Sequence, residues 1–301
     1  MAGQGTGYIF RALGANFTIA VAKGIGAFIT GSGAMLAETL HSLSDCINQV
    51  LLLVGLKQAA RPPDARYPLG QGRNLYFWSF MVAMLLFLGG GAYAIYEGIH
   101  KLQHPEKIEN PLVAVGILGF SLAIESWAMT GAYKAISARK GKRTLIQYLR
   151  ETKDSDLVVI FGEDAAAVLG LAFALIAVLI SMATGDPMYD ALGTLAIGAV
   201  LIGVAVFLAK EVKSLLLGES ADPALLEVIE VCAKQDPRIL KVLRTLTVQQ
   251  GPGEIVVACK LQFQDNLTTK ELVATINEFE VRLHEKCPEV RWSFVEPDDA
   301  D

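Results

Sequence analysis

Long uninterrupted runs of apolar residues occupy most of the chain up to about residue 217. Three of these runs carry no charged side chain, and they cover residues 74–96, 165–185 and 191–209. A helix needs roughly 20 apolar residues to cross about 30 Å of hydrocarbon. The three runs therefore predict membrane-spanning helices.

Three further segments have comparable length but are interrupted by polar side chains: residues 10–30, 35–59 and 111–132. A charge inside a span costs at least about 2.5–3.5 kcal/mol on insertion scales and usually faces the interior of a helix bundle. We therefore expect six spans in total, and we expect Lys23 to pair with Glu38 or Glu125. The other polar residues within the spans are expected to hold helices together; they are Asn16, Asn48, Gln49 and Asp190.

Lysine and arginine are concentrated in two of the links, residues 57–73 between the second and third spans and residues 134–153 between the fourth and fifth. Such residues favour the cytoplasmic side of a membrane. The pattern predicts that both links and both termini are cytoplasmic. We expect a multi-pass protein of the inner (plasma) membrane, most consistent with a bacterial source.

The pattern changes after Leu217, where a soluble domain is expected. Asp222 followed by proline predicts the start of an amphipathic helix that ends near Lys234. Alternating residues on both sides of a Gly-Pro-Gly turn at 251–253 predict a β-hairpin. A capping box at residues 268–271 predicts a second helix to about Lys286, and residues 290–295 supply a third strand. The order α-β-β-α-β predicts a compact α/β domain of about eighty residues, which docking to a second copy would stabilise.

Composition agrees with a membrane protein, because 52% of the 301 residues are hydrophobic and the mean hydropathy is +0.42. The net charge of −5 does not indicate a nucleic-acid partner. The four cysteines fit neither a CxxC metal site nor a tight disulfide framework, so free buried thiols are expected. The first ten residues do not resemble a signal peptide, so insertion by the first span is expected.

His41 and Asp45 lie four positions apart in the second span, and so on one face of a helix. An imidazole nitrogen and a carboxylate oxygen suit zinc and its first-row neighbours, and one such pair needs a partner pair from another helix to complete a tetrahedron. The other interpretation is an internal hydrogen-bonded pair that tightens helix packing.

Glu163 and Asp164 open the apolar run of the fifth span. Two buried adjacent carboxylates would be costly unless a cation or a proton neutralised them, so they are candidates for the partner pair. Alternatively the span begins later, and both residues form an acidic first turn that is stabilised by the helix dipole.

Specific motifs then connect the chain to a known family. Residues 31–45 read GSGAMLAETLHSLSD and are similar to the second-helix signature of the cation diffusion facilitators, which include the zinc transporters of solute-carrier family thirty. Residues 89–105, with Gly89-Gly90, Tyr96-Glu97-Gly98, Leu102 and His104-Pro105, resemble the end of that family's third helix, and residues 295–297 resemble its last strand.

The resemblance implies a bundle of six transmembrane helices followed by a cytoplasmic αββαβ domain of ferredoxin-like or metallochaperone-like fold. It also implies a homodimer that exchanges metal for protons. On this basis we expect a short cytoplasmic segment at residues 1–9, a transport domain at residues 10–217 and a dimerisation domain at residues 218–301.

The fifth span departs from the family pattern of a histidine followed four residues later by an aspartate. Aligning on residues 168–170 places Glu163 at the histidine position and Ala167 at the aspartate position, so one usual ligand is missing. Asp164 could supply the carboxylate from about 100° around the helix. The runs at residues 163–170 and 187–193 resemble the mitochondrial zinc-transporter subgroup in particular.

Accessory metal sites of the family are not expected in this chain. Relatives often carry histidines in the loop after the second span, where residues 67–73 read YPLGQGR, and in the last strand, where Phe294 stands. His284 is expected to be a solvated surface residue, and His100 and His104 to be exposed to water.

The expected function is therefore a secondary transporter without enzymatic activity, in which one metal ion binds His41, Asp45, Glu163 and Asp164. No cofactor is expected to be bound permanently. Zinc is the expected cargo, with manganese, iron, cobalt and cadmium as alternatives, and protons are the counter-ion. A metal sensor or scaffold without transport is the rival interpretation, whereas a membrane hydrolase lacks a placed nucleophile.

Overall fold

The computed structural model describes residues 2–105, 107–108, 110–152 and 155–300. Side chains are described for all of these except residues 2–12, 15, 87, 155 and 156. The predicted start of the first span at Phe10 and Arg11 and the basic residue Lys153 thus lie outside the described side chains.

The first part of the chain is almost wholly helical, in agreement with the predicted spans. Its helices are α1 (Ala2–Thr30), α2 (Gly33–Ala59), α3 (Asn74–Leu85), α4 (Tyr93–Gln103), α5 (Pro111–Arg139), α6 (Leu145–Glu151), α7 (Ser155–Thr184) and α8 (Met188–Leu217). Within the described residues, five helical segments are long and apolar enough to cross a membrane, and Asn16–Thr30 is a shorter apolar helix. The chain is a multi-pass membrane protein.

Two helical features were not predicted from the sequence. Helix α6 lies within the basic link between α5 and α7, where Tyr148 and Leu149 are buried. Helix α7 begins at Ser155, about ten residues before the predicted span, because the polar residues ahead of the apolar run continue the same helix.

A π-helical segment, Leu86–Ala92, joins α3 to α4 into one continuous span. Three consecutive glycines allow neighbouring helices to approach it closely. A Cβ atom on Gly89 would lie 3.2 Å from Ser44 Oγ, and one on Gly91 would lie 2.6 Å from Ile202 Cγ1. Widened turns of this kind are frequent at functional sites.

The soluble domain has the predicted order, with α9 (Ala224–Lys234), β1 (Ile239–Gly251), β2 (Glu254–Phe263), α10 (Thr269–Lys286) and β3 (Val290–Pro297). Strand β2 is central, pairing antiparallel with β1 and parallel with β3. The Thr268–Glu271 capping box at the start of α10 is confirmed. Helix α9 begins one residue later than predicted, with Asp222 Oδ1 accepting a hydrogen bond of 2.9 Å from the Ala224 amide.

Alternate residues of β2 form the centre of this domain's core, where Val257 and Leu261 are buried. Ile229 of α9 and Phe279 of α10 are fully buried against the same core. Cys232 and Cys259 belong to it as free thiols, as predicted. The αββαβ prediction is therefore confirmed.

The chain divides into two compact units, of which the second contains residues 55–77 together with residues 213–301. Within this second unit the loop after α2 contacts the hairpin of the soluble domain. A Cβ atom on Gly72 would lie 2.9 Å from Gln250 O and 3.0 Å from Gly251 Cα, so only glycine fits there. The loop and the soluble domain thus form one packed body.

Candidate metal-binding site

Four polar residues form a stripe along α2: Glu38, His41, Asp45 and Asn48. Their spacings of three, four and three residues keep them on one face of the helix. Glu38, His41 and Asn48 have no solvent-exposed surface, and the Asp45 side chain is 15% exposed. A buried stripe of this composition within an apolar helix is costly unless it binds something.

The His41–Asp45 pair is close but is not joined by a hydrogen bond. The distance from His41 Nε2 to Asp45 Oδ2 is 3.8 Å, which is beyond hydrogen-bonding range. In the part of the chain that the structure describes, both ring nitrogens of His41 and Oδ1 of Asp45 are buried without a hydrogen-bond partner. The alternative of an internal hydrogen-bonded pair is therefore wrong.

The acidic pair of α7 lies well inside its helix. Glu163 and Asp164 follow the first helical residue, Ser155, by more than two turns. The alternative of an acidic first turn is therefore wrong. Asn48 Nδ2 donates a hydrogen bond of 2.6 Å to Glu163 Oε1. The α2 stripe and the α7 acids thus belong to one polar cluster.

A buried ammonium lies beside this cluster. Lys23 of α1 forms an ion pair with Glu38 at 3.3 Å and donates a hydrogen bond of 2.8 Å to Ser42 Oγ. Both members of the ion pair are fully buried. Of the two predicted partners of Lys23, Glu38 is the one it contacts. Glu38 Oε1 lies against Gly170 of α7, where a Cβ atom would overlap it.

Charges from three helices meet at the site. Asp45 interacts electrostatically with both Glu163 and Asp164, and Glu125 of α5 interacts with Asp164. Among the described residues, however, no three His, Cys, Asp or Glu side chains converge closely enough to enclose a metal ion. The arrangement brings the four predicted residues into one cluster, with the α2 pair and the α7 pair still apart.

Sequence reasoning assigned Asn48 to helix packing and Glu125 to an alternative ion pair with Lys23, whereas both lie near the candidate site. Asn48 could have been found from its spacing, because it follows His41 by seven residues and Asp45 by three. Glu125 could not, since its relation to Asp164 depends on how α5 packs against α7.

The other histidines have mixed outcomes. His100 and His104 are exposed, as predicted. His284 is half-buried rather than solvated, with Nε2 3.5 Å from Ser293 Oγ, because α10 packs its polar face near β3. Phe294, at the position where relatives often carry a histidine, is 56% exposed.

Comparison with known proteins identifies the family to which the chain belongs. Residues 9–217 match the family model of the cation efflux transmembrane domain. The proton-coupled zinc antiporter SLC30A9, mitochondrial, is 33% identical in Xenopus laevis over 80% of this chain and 44% of that protein. The protein of the same name in Homo sapiens is 31% identical over 88% of this chain and 48% of its own length.

Metal tolerance protein C4 of Arabidopsis thaliana is 28% identical over 87% of this chain and 58% of that protein. The chain spans about half the length of these relatives. The resemblance to the mitochondrial zinc-transporter subgroup is confirmed by these matches. With the family model covering more than two thirds of its residues, the chain belongs to the cation efflux family, the cation diffusion facilitators.

Proposed function

We propose that this chain is a secondary transporter that exchanges a divalent metal ion, zinc foremost, for protons by alternating access. The observation that carries the proposal is the buried α2 stripe, in which His41 and Asp45 hold uncommitted lone pairs. A nitrogen and an oxygen donor without a partner are unstable in an apolar helix unless a cation periodically occupies them.

Four residues are proposed as the ligands of the transported ion: His41, Asp45, Glu163 and Asp164. The hydrogen bond from Asn48 fixes Glu163 on the side of α7 that faces α2. A closed metal site then requires only that the α2 pair of His41 and Asp45 and the α7 pair of acids move closer together. Since Asp45 already interacts with both acids, a dipositive ion between them would replace repulsion with attraction.

Proton exchange follows from the chemistry of the ligands. An imidazole nitrogen and a carboxylate oxygen bind either a proton or a metal ion through the same lone pair, so metal binding releases protons. Protonation on the other face of the membrane would then displace the metal ion. The acids of three helices favour such a cycle, because each can carry a proton when the metal is absent.

The identity of the metal rests on the relatives. Two of them are named proton-coupled zinc antiporters, which favours zinc here. One nitrogen and three oxygens would also accept manganese, iron, cobalt or cadmium. No permanently bound cofactor is part of the proposal.

We propose that both termini lie on one side of the membrane, the cytoplasm in the case of a bacterial inner membrane, because the two basic links favour that side. We also propose a homodimer formed through the soluble domain. Leu246 and Phe294 are 53% and 56% exposed on the sheet, and an apolar surface of this kind supports docking of a second copy.

The test is zinc flux into proteoliposomes under a pH gradient, compared between the unchanged protein and Asp45→Ala. We expect flux that depends on the gradient and is lost in Asp45→Ala. A matched control is Asp186→Ala, which removes an exposed acid from the loop before α8. Zinc binding without flux in the unchanged protein would instead favour a sensor or scaffold.

A further inference from the structure

Two exposed histidines form a pair at the end of α4. His100 lies in the last turn, and His104 is the C-cap, whose backbone amide bonds to the carbonyl oxygen of His100. Their ring centroids are 4.9 Å apart, with an angle of 30° between the ring planes. Side chains four positions apart on a helix are neighbours, so both imidazoles can reach one ligand.

The orientation of His104 favours coordination by one particular nitrogen. Its Nδ1 lies 3.4 Å from the carbonyl oxygen of His100. Metal-binding histidines commonly direct one ring nitrogen to a backbone carbonyl, which fixes the ring and leaves the other nitrogen for the metal. Nε2 is the nitrogen of His104 that this arrangement leaves available.

The helix end that carries the pair is anchored. Lys101, between the two histidines, is only 8% exposed, donates a hydrogen bond to Gly31 O and forms an ion pair with Asp190 at 3.5 Å. Asp190 also accepts hydrogen bonds of 2.6 Å from Ser32 Oγ and 2.9 Å from the Gly33 amide. The last turn of α4 is thereby fixed to the α1–α2 turn and to α8, which preorganises the two rings.

We propose that His100 and His104 together bind one divalent transition-metal ion, with water completing its coordination. Two imidazole nitrogens suit zinc, copper and nickel. The span Asn74–Gln103 places this pair at the end of the helix opposite to the α2–α3 loop. It is a second metal site, separate in sequence and chemistry from the acid-rich cluster of α2 and α7.

The experiment uses the full-length protein in lipid nanodiscs and copper(II) as the probe. The chain has four histidines, so His41→Ala with His284→Ala leaves only this pair. In that background we expect an electron paramagnetic resonance spectrum with hyperfine coupling to two nitrogens. Zinc should displace the copper. Adding His100→Ala or His104→Ala should lower copper affinity at least about tenfold and leave coupling to at most one nitrogen.

A register control keeps the number of histidines constant. Leu102→His combined with His104→Ala places the two imidazoles two positions apart, where they face different sides of the helix. This variant should behave like the single-histidine proteins. The proposal is overturned if the spectrum and affinity are the same with and without His100 and His104, or if the register control binds as tightly as the original pair.

The role of this pair in transport rests on the proposed function. A metal ion held at the end of the bundle raises the local concentration of cargo there. Replacing both histidines by alanine should therefore raise the KM for zinc without lowering kcat. An unchanged KM in the variant without both histidines would overturn this role. The absence of zinc flux through the unchanged protein would instead overturn the proposed function. The copper spectrum tests metal binding by the pair in either case.

Discussion

Asn48 of α2 donates a hydrogen bond of 2.6 Å to Glu163 of α7, and this contact joins the two halves of the candidate site. It holds one carboxylate oxygen of Glu163 and leaves the other for a cation. The contact makes Asn48 a positioning residue, which acts on the metal through Glu163.

We expect Asn48→Ala to weaken zinc binding by about tenfold, less than the loss in Glu163→Ala, because Glu163 then loses the donor that orients it. Zinc titration of the purified protein provides the measurement. The control is Ile47→Ala, which changes an exposed neighbour on the same helix. Equal affinity in Asn48→Ala and the unchanged protein would show that the hydrogen bond has no role in binding.

Glu163 and Asp164 of α7 can be tested separately. Glu163 stands at the position of a usual family ligand, whereas Asp164 is proposed to replace a carboxylate that is missing. Glu163→Ala and Asp164→Ala should each reduce zinc flux strongly. If Asp164 supplies the carboxylate that relatives carry at the position of Ala167, then Ala167→Asp should restore part of the flux in Asp164→Ala. Normal transport by both single variants would exclude the four-ligand site.

Removing one member of the buried Lys23–Glu38 pair leaves an uncompensated charge, which costs about 3–5 kcal/mol. We expect Lys23→Met and Glu38→Gln each to lower the free energy of unfolding by roughly this amount, and the double variant to lose much less than their sum. Chemical denaturation in detergent measures this cycle, with the exposed Lys134→Met as the control. Additive losses would mean that the ion pair contributes little.

Close packing between α7 and α8 depends on Gly193, where a Cβ atom would overlap the Cβ of Ala177. Gly193→Ala should therefore destabilise the bundle by about 1–3 kcal/mol. Gly203→Ala, on the same helix, meets no atom within 4 Å and should be neutral or slightly stabilising. Thermal unfolding in detergent distinguishes the two, and the same midpoint for both variants would contradict the observed packing.

The soluble domain should lose stability in acid through Asp236. Hydrogen bonds from Arg238 lower the pKa of this carboxyl to about 2 from its usual 3.8. A lowered pKa in the folded state stabilises the fold above the unfolded value, and this stabilisation is lost as the pH falls from about 4 to 2. The size of this stabilisation is on the order of 2 kcal/mol.

Protection of the α9 and β1 amides in the full-length protein, measured as the exchange rate relative to the intrinsic rate at each pH, should fall in this pH window. Asp236→Asn should show the faster exchange already at pH 7, whereas Glu230→Gln, which alters an exposed pair with Lys234, should not. Exchange that does not depend on Asp236 at either pH would contradict the assigned stabilisation.

The sequence predicted those features that have a local pattern. The spans follow from runs of apolar residues, and the capping box of α10 follows from Thr268 and Glu271. His41 and Asp45 were identified because their spacing places them on one helix face. Each of these features involves residues that are close in the sequence, so the geometry of a single helix or strand is enough to predict it.

Other features depend on which helices meet, and no local pattern contains that information. Asp190 accepts a hydrogen bond from the backbone amide of Gly33, which is 157 residues away in the sequence. It also forms an ion pair with Lys101, which is 89 residues away. The same limit applies to Glu125, which faces Asp164 only because α5 packs against α7. The start of α7 at Ser155 was missed for a different reason, since hydropathy marks the membrane interior and not the whole helix.

The most direct test of the α2–α7 site is X-ray absorption at the zinc edge. It uses protein in which His100, His104 and His284 are replaced by alanine, so that His41 is the remaining histidine. We predict one nitrogen and three oxygen ligands at about 2.0–2.2 Å, with the imidazole signal lost on His41→Ala. A sulfur ligand at about 2.3 Å, or a spectrum that His41→Ala leaves unchanged, would contradict the account.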